Sequence, residues 1–227
     1  MKRIKLQEVE STNNYAKERR KEGEALIVTA QRQTGGRGTK GRSFVSNEGG
    51  VYLSSLRFYD NVLAKEAFKI MSGAAVAVCE TLRFYGMKPV IKWSNDVLVG
   101  GKKICGILIE NTLSGDKISS SVVGVGLNVH NALPDELLDI ATSILLETGK
   151  AISVEEVTER LIAELEKERS IEEYRSYLGF MGEKVTLILG DESIPATLIS
   201  VDDEGRLMAK IGEEIKIFSS AEVSLRL

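Results

Sequence analysis

Histidine and cysteine are almost missing from this chain of 227 residues. The single histidine, His130, excludes a histidine-rich metal site and is expected in a loop beyond a strand. Two cysteines, Cys79 and Cys105, are too few for a disulfide framework and show no metal-ligand spacing. Both sit among apolar residues, where a thiol packs as a small hydrophobe. Positive charge is not in excess either. A net charge of −3 provides no general field for a polyanion, so no nucleic-acid partner is expected and any attraction for phosphate must be local. No apolar run is long enough to cross a membrane, and Met1-Lys2-Arg3-Ile4-Lys5 opens no secretory signal. These absences predict a cytoplasmic protein. A hydrophobic share of 43% is ordinary for a chain with a real core.

What is present is concentrated in one short stretch, Gly35-Gly36-Arg37-Gly38-Thr39-Lys40-Gly41-Arg42. Four glycines let a ligand approach the main chain, and three cations suit an anion such as phosphate or carboxylate. Gly36 to Gly41 also matches Gly-x-Gly-x-x-Gly, but a dinucleotide fingerprint needs a helix to open inside it. The residues that follow, Gly50 to Phe58, read as a strand instead. The stretch is therefore a cationic loop between two strands.

The chain divides once, into residues 1–178 and 179–227. The first part mixes helix and strand. Thr12 is expected to cap a short helix to Arg19, and strands are expected over 25–30 and 51–58. Helical spacing of Ala67, Ile70, Met71, Ala74, Ala75, Val78 and Leu82 predicts a helix over 65–85, ended by Gly86. Strands follow over 90–93, 96–99, 104–110 and 121–129. Ser153-Val154-Glu155-Glu156 has capping-box spacing and predicts one helix to about Leu178. The tail alternates strand patterns with Gly190-Asp191, Gly205 and Gly212 turns, which predicts a small β-barrel docked on the main domain.

Three further segments carry chemistry. Glu10-Ser11-Thr12-Asn13 lies at a helix start, where a plain N-cap is the simplest account. Lys92-Trp93-Ser94-Asn95-Asp96, followed by Lys102-Lys103, gathers cations, an amide and a carboxylate around a hairpin. Lysine supplies a point charge for phosphate, while Asp and Asn supply oxygens for Mg²⁺ or orient an incoming amine. Gly124-Val125-Gly126-Leu127-Asn128 puts glycines inside an apolar strand, which signals a bulge or a close approach.

Taken in order, these segments resemble the biotin protein ligases, also called biotin–acetyl-CoA-carboxylase ligases. The resemblance covers nearly the whole chain. It rests on the Ser-Thr-Asn start, Gln33, Gly-Arg-Gly-x-x-Gly-Arg, Lys-Trp-x-Asn-Asp, Lys-x-x-Gly-Ile-Leu-x-Glu at Lys103–Glu110, Gly-x-Gly-x-Asn, and the β tail through Ser224-Leu225-Arg226. It implies an α+β fold: a mixed sheet with flanking helices, of the class II synthetase-like type, then a small SH3-like barrel. With about ten residues before the Ser-Thr-Asn motif, it also implies a ligase without the family's N-terminal DNA-binding domain. Two other readings remain open at this point: a lipoate–protein ligase-like acyl-adenylate transferase, and a non-catalytic nucleotide- or nucleic-acid-binding module.

Residue by residue, the resemblance implies that Ser11, Thr12, Asn13 and Gln33 hold biotin together with Gly36, Arg37, Gly38 and Thr39 of a closing loop. Lys103 would meet the biotin carboxylate and the α-phosphate. Lys40, Arg42, Asn95, Gly124, Gly126 and Asn128 would meet ATP or its adenylate. Lys103, Arg37, Asp96 and Lys92 are the implied catalytic residues, and Asp96 and Asn95 the implied Mg²⁺ oxygens. The substrates would be biotin and ATP, the acceptor a lysine of a biotin carboxyl carrier protein, and the assembly a homodimer. Thr39 stands where the family usually has arginine, and Ser94 where it has proline. A tryptophan usual near the end of the loop is replaced by Phe44. Trp93 is expected to serve packing.

Overall fold

The computed structural model describes residues 1–220 and 222–226; Ala221 and Leu227 lie outside the described residues. The chain opens with a β–α–β unit: β1 (Lys2–Val9), α1 (Thr12–Arg19) and β2 (Leu26–Gln33), with β1 parallel to β2. Strands β3 (Val51–Leu63), β4 (Val90–Lys92), β5 (Asp96–Val99), β6 (Lys102–Ser114) and β7 (Lys117–Leu127) complete a seven-stranded mixed sheet in the order β1-β2-β3-β7-β6-β5-β4. Helix α2 (Ala67–Phe84) separates β3 from β4, and α3 (Ile144–Thr148), α4 (Val154–Leu165) and α5 (Ile171–Tyr177) follow β7.

Side chains of a strand alternate between the two faces, and here each face has its own filling. Ile27, Leu53, Val123 and Val125 join the larger core with Ala74, Ala75, Val78, Cys79 and Leu82 of α2. Leu26, Val28, Leu56 and Val122 gather on the opposite face around Ala16 of α1. Fully burying a side chain such as Leu82 contributes about 1.5–3 kcal/mol. Both thiols are buried, and burial pushes them well above the ordinary cysteine range, so they behave as hydrophobes.

The second unit is an antiparallel sheet of β8 (Lys184–Leu189), β9 (Glu192–Val201), β10 (Leu207–Ile211), β11 (Glu214–Phe218) and β12 (Val223–Arg226), ordered β11-β10-β9-β8-β12. No pairing that closes it into a barrel is present among the described residues. Leu187, Leu198, Val201, Leu207 and Ala209 fill its inner face. It docks through the 202–205 turn. The Trp93 indole N–H donates to Gly205 O at 2.9 Å, and Gly205 lies so close to the Phe68 ring that no β-carbon would fit. Arg175 adds Nε to Val201 O (3.0 Å) and an ion pair to Asp203 (2.6 Å). Trp93 thus packs, as its neighbours implied.

The local differences from sequence have physical causes. Helix α1 is capped by Ser11, whose Oγ accepts from Asn14 N, because Thr12 is engaged elsewhere. The expected single helix to Leu178 is two helices. Ser153 makes no side-chain cap, whereas Ser170 and Glu173 form the capping box that opens α5. Strand β1 carries only two inward apolar side chains, Ile4 and Leu6, too weak a pattern to register.

Candidate functional site

The face of the sheet that carries α1 is scooped out by glycine. Along it, register aligns Ser54 with Gly124 and Leu108, and Tyr52 with Gly126 and Gly106. Two side chains fill the trench. Asn13 of α1 lies over Gly124, where a β-carbon would collide with the Asn13 amide. The Phe44 ring lies over Gly126, where a β-carbon would sit 2.6 Å from the ring edge. The glycines flagged in the sequence are therefore sites of close approach, and the approaching groups belong to the protein itself.

Around Asn13 runs a connected polar network. Gln33 Oε1 accepts from Thr12 N (2.8 Å) and lies 3.0 Å from Thr12 Oγ1, and its Nε2 donates to Ser46 Oγ (2.9 Å). Ser54 Oγ lies 2.8 Å from Thr12 Oγ1 and 2.6 Å from Asn13 Oδ1. Asn13 Nδ2 donates to Glu110 Oε2 at 3.0 Å. The other oxygen of Glu110 takes Lys17 Nζ (2.8 Å) and Arg37 Nη2 (3.0 Å). Burial pushes the Glu110 carboxyl up, but its donors Lys17 and Asn13, with the Arg37 charge, hold it below the usual carboxylate range.

The cationic loop is held at both ends. Phe44 N donates to Gly36 O (2.9 Å), Gly38 N donates to Arg42 O (2.6 Å), and Arg37 and Ser43 bridge across it. Gly36 is needed because a β-carbon there would strike Phe44 O and Ser46 Oγ. Arg37 also donates to Asn14 Oδ1 at 2.6 Å, which draws the loop over α1. The loop roofs a cavity of about 80 Å³ lined by Ser11, Thr12, Asn13, Gln33, Arg37, Gly38, Thr39, Arg42, Asn95, Lys103, Gly124 and Gly126.

A second groove adjoins this cavity and shares Thr39, Arg42 and Asn95 with it; Lys40, Lys92 and Asp96 line it too. Lys103 pairs with Asp96 at 2.7 Å. Burial lowers the Lys92 pKa; Asp96 opposes that shift, while Lys103 and Arg42 add to it. Asn95 Nδ2 is spent on Ile107 O (3.0 Å), and its Oδ1 accepts from Ser94 Oγ (3.3 Å) with one lone pair left over. Among the described residues no cluster of three His, Cys, Asp or Glu side chains forms a metal cage.

Most residues singled out in the sequence thus share one cleft and its adjoining groove. Gly36 supports the loop from behind. Asn128 is buried with its amide engaged: Nδ2 donates to Thr142 O (3.0 Å) and Oδ1 accepts from Asn131 (3.1 Å), so its side chain is not on the cleft wall. His130 is exposed at a loop, as expected. Sequence reasoning gave no role to Phe44, Ser54 or Glu110. Glu110 closes the Lys-x-x-Gly-Ile-Leu-x-Glu run, and Ser54-Ser55 interrupts an otherwise apolar strand, so signals for both were present.

Comparisons with known proteins place the chain in a family. The biotin/lipoate A/B protein ligase family model matches residues 5–128, and the biotin protein ligase C-terminal domain model matches 180–226. The bifunctional ligase/repressor BirA of Bacillus subtilis is 36% identical over 222 residues; the chain spans 66% of that relative's length. The biotin–[acetyl-CoA-carboxylase] ligase of Mycobacterium tuberculosis is 30% identical over 88% of this chain and 79% of its own. The biotin protein ligase of Aquifex aeolicus, solved in complex with biotin and ATP, superposes with a TM-score of 0.79 at 33% identity, covering 99% of this chain and 98% of that one. With both family models matched in order, and relatives of this identity aligned over most of their length, the chain belongs to the biotin protein ligase family.

Proposed function

We propose that this protein is an ATP-dependent ligase that activates biotin as biotinyl-5′-AMP and transfers the biotinyl group to a lysine of a biotin carboxyl carrier protein. The observation that carries this reading is the junction of two unlike chambers. A polar floor of Ser11, Thr12, Asn13 and Gln33 opens, past Lys103 and Asn95, onto a groove bearing Lys40, Arg42, Lys92 and Asp96. A cyclic urea suits the first chamber and a polyphosphate the second.

In the first step a biotin carboxylate oxygen attacks the α-phosphorus of ATP and pyrophosphate leaves. Lys103, at the junction, offsets the negative charge of both reactants. Lys92 and Arg42 do the same along the polyphosphate, and Arg37, Gly38 and Thr39 hold the loop over the reacting groups and exclude water. In the second step the acceptor ε-amine attacks the acyl carbon and AMP leaves. Asp96 orients that amine and takes its proton. No covalent enzyme intermediate is needed, in keeping with a cleft that shows no nucleophile–base pair.

Mg²⁺ would enter this groove as a companion of the nucleotide, with Asp96 and the Asn95 side-chain carbonyl as the protein oxygens that would hold it. It would offset phosphate charge there. The same reading takes residues 1–178 as the catalytic unit and 179–227 as a second unit beside it, a homodimer as the assembly, and the cytoplasm as the site of action. The deciding experiment is mass spectrometry of a carrier domain incubated with the protein, biotin, ATP and Mg²⁺. A gain of one biotinyl group on a single lysine is expected. No gain with biotin, but a gain with lipoate, would transfer the protein to the lipoate branch.

A further inference from the structure

We propose that Glu110 is a positioning residue that sets the recognition polarity of the floor and, through Arg37, the resting place of the loop. This rests on the reading of the cleft as a biotin site.

A carboxylate accepts hydrogen bonds and donates none. Glu110 takes three donors from two elements: Asn13 and Lys17 from α1, and Arg37 from the loop. The bond from Asn13 Nδ2 to Glu110 (3.0 Å), with a longer one to Leu108 O (3.4 Å), fixes which way that amide faces. Its Oδ1 must then point at Ser54, only 2.6 Å away, and an amide oxygen there claims the single Ser54 proton. Ser54 therefore has none left for Thr12. At the other end, the Thr12 backbone N–H fixes Gln33 with its Oε1 inward. The Thr12 hydroxyl lies 2.8 Å from Ser54 Oγ and 3.0 Å from Gln33 Oε1; its one proton goes to Ser54 at the shorter contact, and its lone pairs are left to accept. The order of donors and acceptors thus runs in one direction, from the cleft toward the buried negative charge. A floor ordered in this way presents acceptors, and it selects a ligand that offers N–H donors.

The same carboxylate holds Arg37. With Asn14 it gives the guanidinium two partners outside the cleft, and it separates the charges of Arg37 and Lys17. Without that anion, Asn13 keeps only its longer bond to Leu108 O (3.4 Å) to hold it, and two cations face each other across the entrance to the floor.

The test is Glu110→Gln, which keeps the shape and removes the charge. Biotin affinity, by calorimetry without ATP, is expected to fall about tenfold or more. At saturating biotin, kcat for pyrophosphate release should stay within about threefold of wild type. Hydrogen exchange at residues 36–41 should be faster in the ligand-free variant. A loss confined to melting temperature, with wild-type biotin affinity and loop exchange, would overturn the proposal. Unchanged KM with a lowered kcat would also overturn it, because the residue would then act on the chemical step. Ser54→Ala tests the floor with Glu110 intact: it should weaken biotin and leave loop exchange unchanged. Wild-type affinity in Ser54→Ala sinks the polarity argument even if Glu110→Gln does not fold. Failure of the wild type itself to bind biotin would instead reject the assigned ligand, and the loop-exchange comparison would still stand as a test of Glu110.

Discussion

The two chambers of the cleft are built on opposite principles. On the floor, polar groups answer one another: Gln33, Thr12, Ser54, Asn13 and Glu110 form one chain of hydrogen bonds over glycine-lined sheet. In the adjoining groove charge is left over. Lys40, Arg42 and Lys92 line it beside one carboxylate, Asp96, which Lys103 already pairs. A neutral ring is recognised by pre-set geometry, and a polyphosphate by uncompensated positive charge. The first arrangement tolerates little displacement, whereas the second tolerates displacement but not loss of charge. Substitutions that keep charge and disturb shape should therefore injure the floor, and those that keep shape and remove charge should injure the groove.

The largest effect is expected from Lys103→Gln. One electrostatic contact that strengthens as charge develops is worth about 3 kcal/mol, or roughly a hundredfold in rate. Pyrophosphate release should fall by that factor, with a melting temperature close to wild type. Its partner Asp96 is partly exposed, so the resting ion pair contributes little to stability. A variant that melts early yet releases pyrophosphate at the normal rate would reverse the assignment.

Next in size is Gly124→Ala. The added methyl overlaps the Asn13 amide, and overpacking of a filled site costs about 1–3 kcal/mol. Biotin binding should weaken while nucleotide binding does not. Equal weakening of both would mean that the two chambers are not independent.

These two sites also show how much was legible in sequence. The loop, the 92–96 hairpin and the paired glycines stand out because each compresses unusual residues into a short window. Most strands and α2 followed from periodicity. The partners of those residues did not. That Gly124 accommodates Asn13, rather than a ligand, depends on α1 folding back across β7, which no local pattern encodes. Glu110 looked like any acid at the solvent end of a strand until three donors converged on it. Asn128 shows the reverse, since its motif is plain while its side chain is satisfied by Thr142 and Asn131. The break between α4 and α5 was hidden because Ser153 and Ser170 both precede acidic residues, and only the second completes the reciprocal bonds.

A smaller effect tests the border between the chambers. Thr39 lines both, and it is neutral where an arginine could make charge-assisted bonds to an adenylate. A loss of about 1.4 kcal/mol corresponds to a tenfold weaker intermediate. Wild type should therefore release biotinyl-5′-AMP and label an added bystander protein more than Thr39→Arg does. Lys40 offers no ready substitute, because its ammonium reaches toward Val223 O at 3.5 Å in the second unit. Equal labelling by both proteins would make the difference at position 39 silent.

The smallest effect is protonic. Burial, with Lys103 and Arg42 nearby, lowers the Lys92 pKa in the folded protein, and Asp96 only partly opposes this. Below that lowered pKa the ammonium is charged in folded and unfolded chains alike, so its burial weakens the fold. As pH rises through it, the folded chain loses the proton first, and stability rises until the unfolded lysine titrates too. Nucleotide phosphates in the groove favour the charged form, so ATP should bind with net proton uptake in the pH range between the lowered Lys92 pKa and the ordinary lysine value. Calorimetry in buffers of different ionisation enthalpy would read it. The uptake should vanish in Lys92→Met.

The Phe44 ring resting on Gly126 and Gly106 has a consequence for how such a cleft can change. Its back wall there is main chain, already stripped to hydrogen at two neighbouring strands, so at that end the sheet has no side chain left to shorten. The side chain arriving from the loop sets the depth at that end. Phe44 is in effect a removable stopper: shortening it should lengthen the chamber without touching the polar floor. On the proposed reading, acceptance of a bulkier acid would then be a trait carried by the loop.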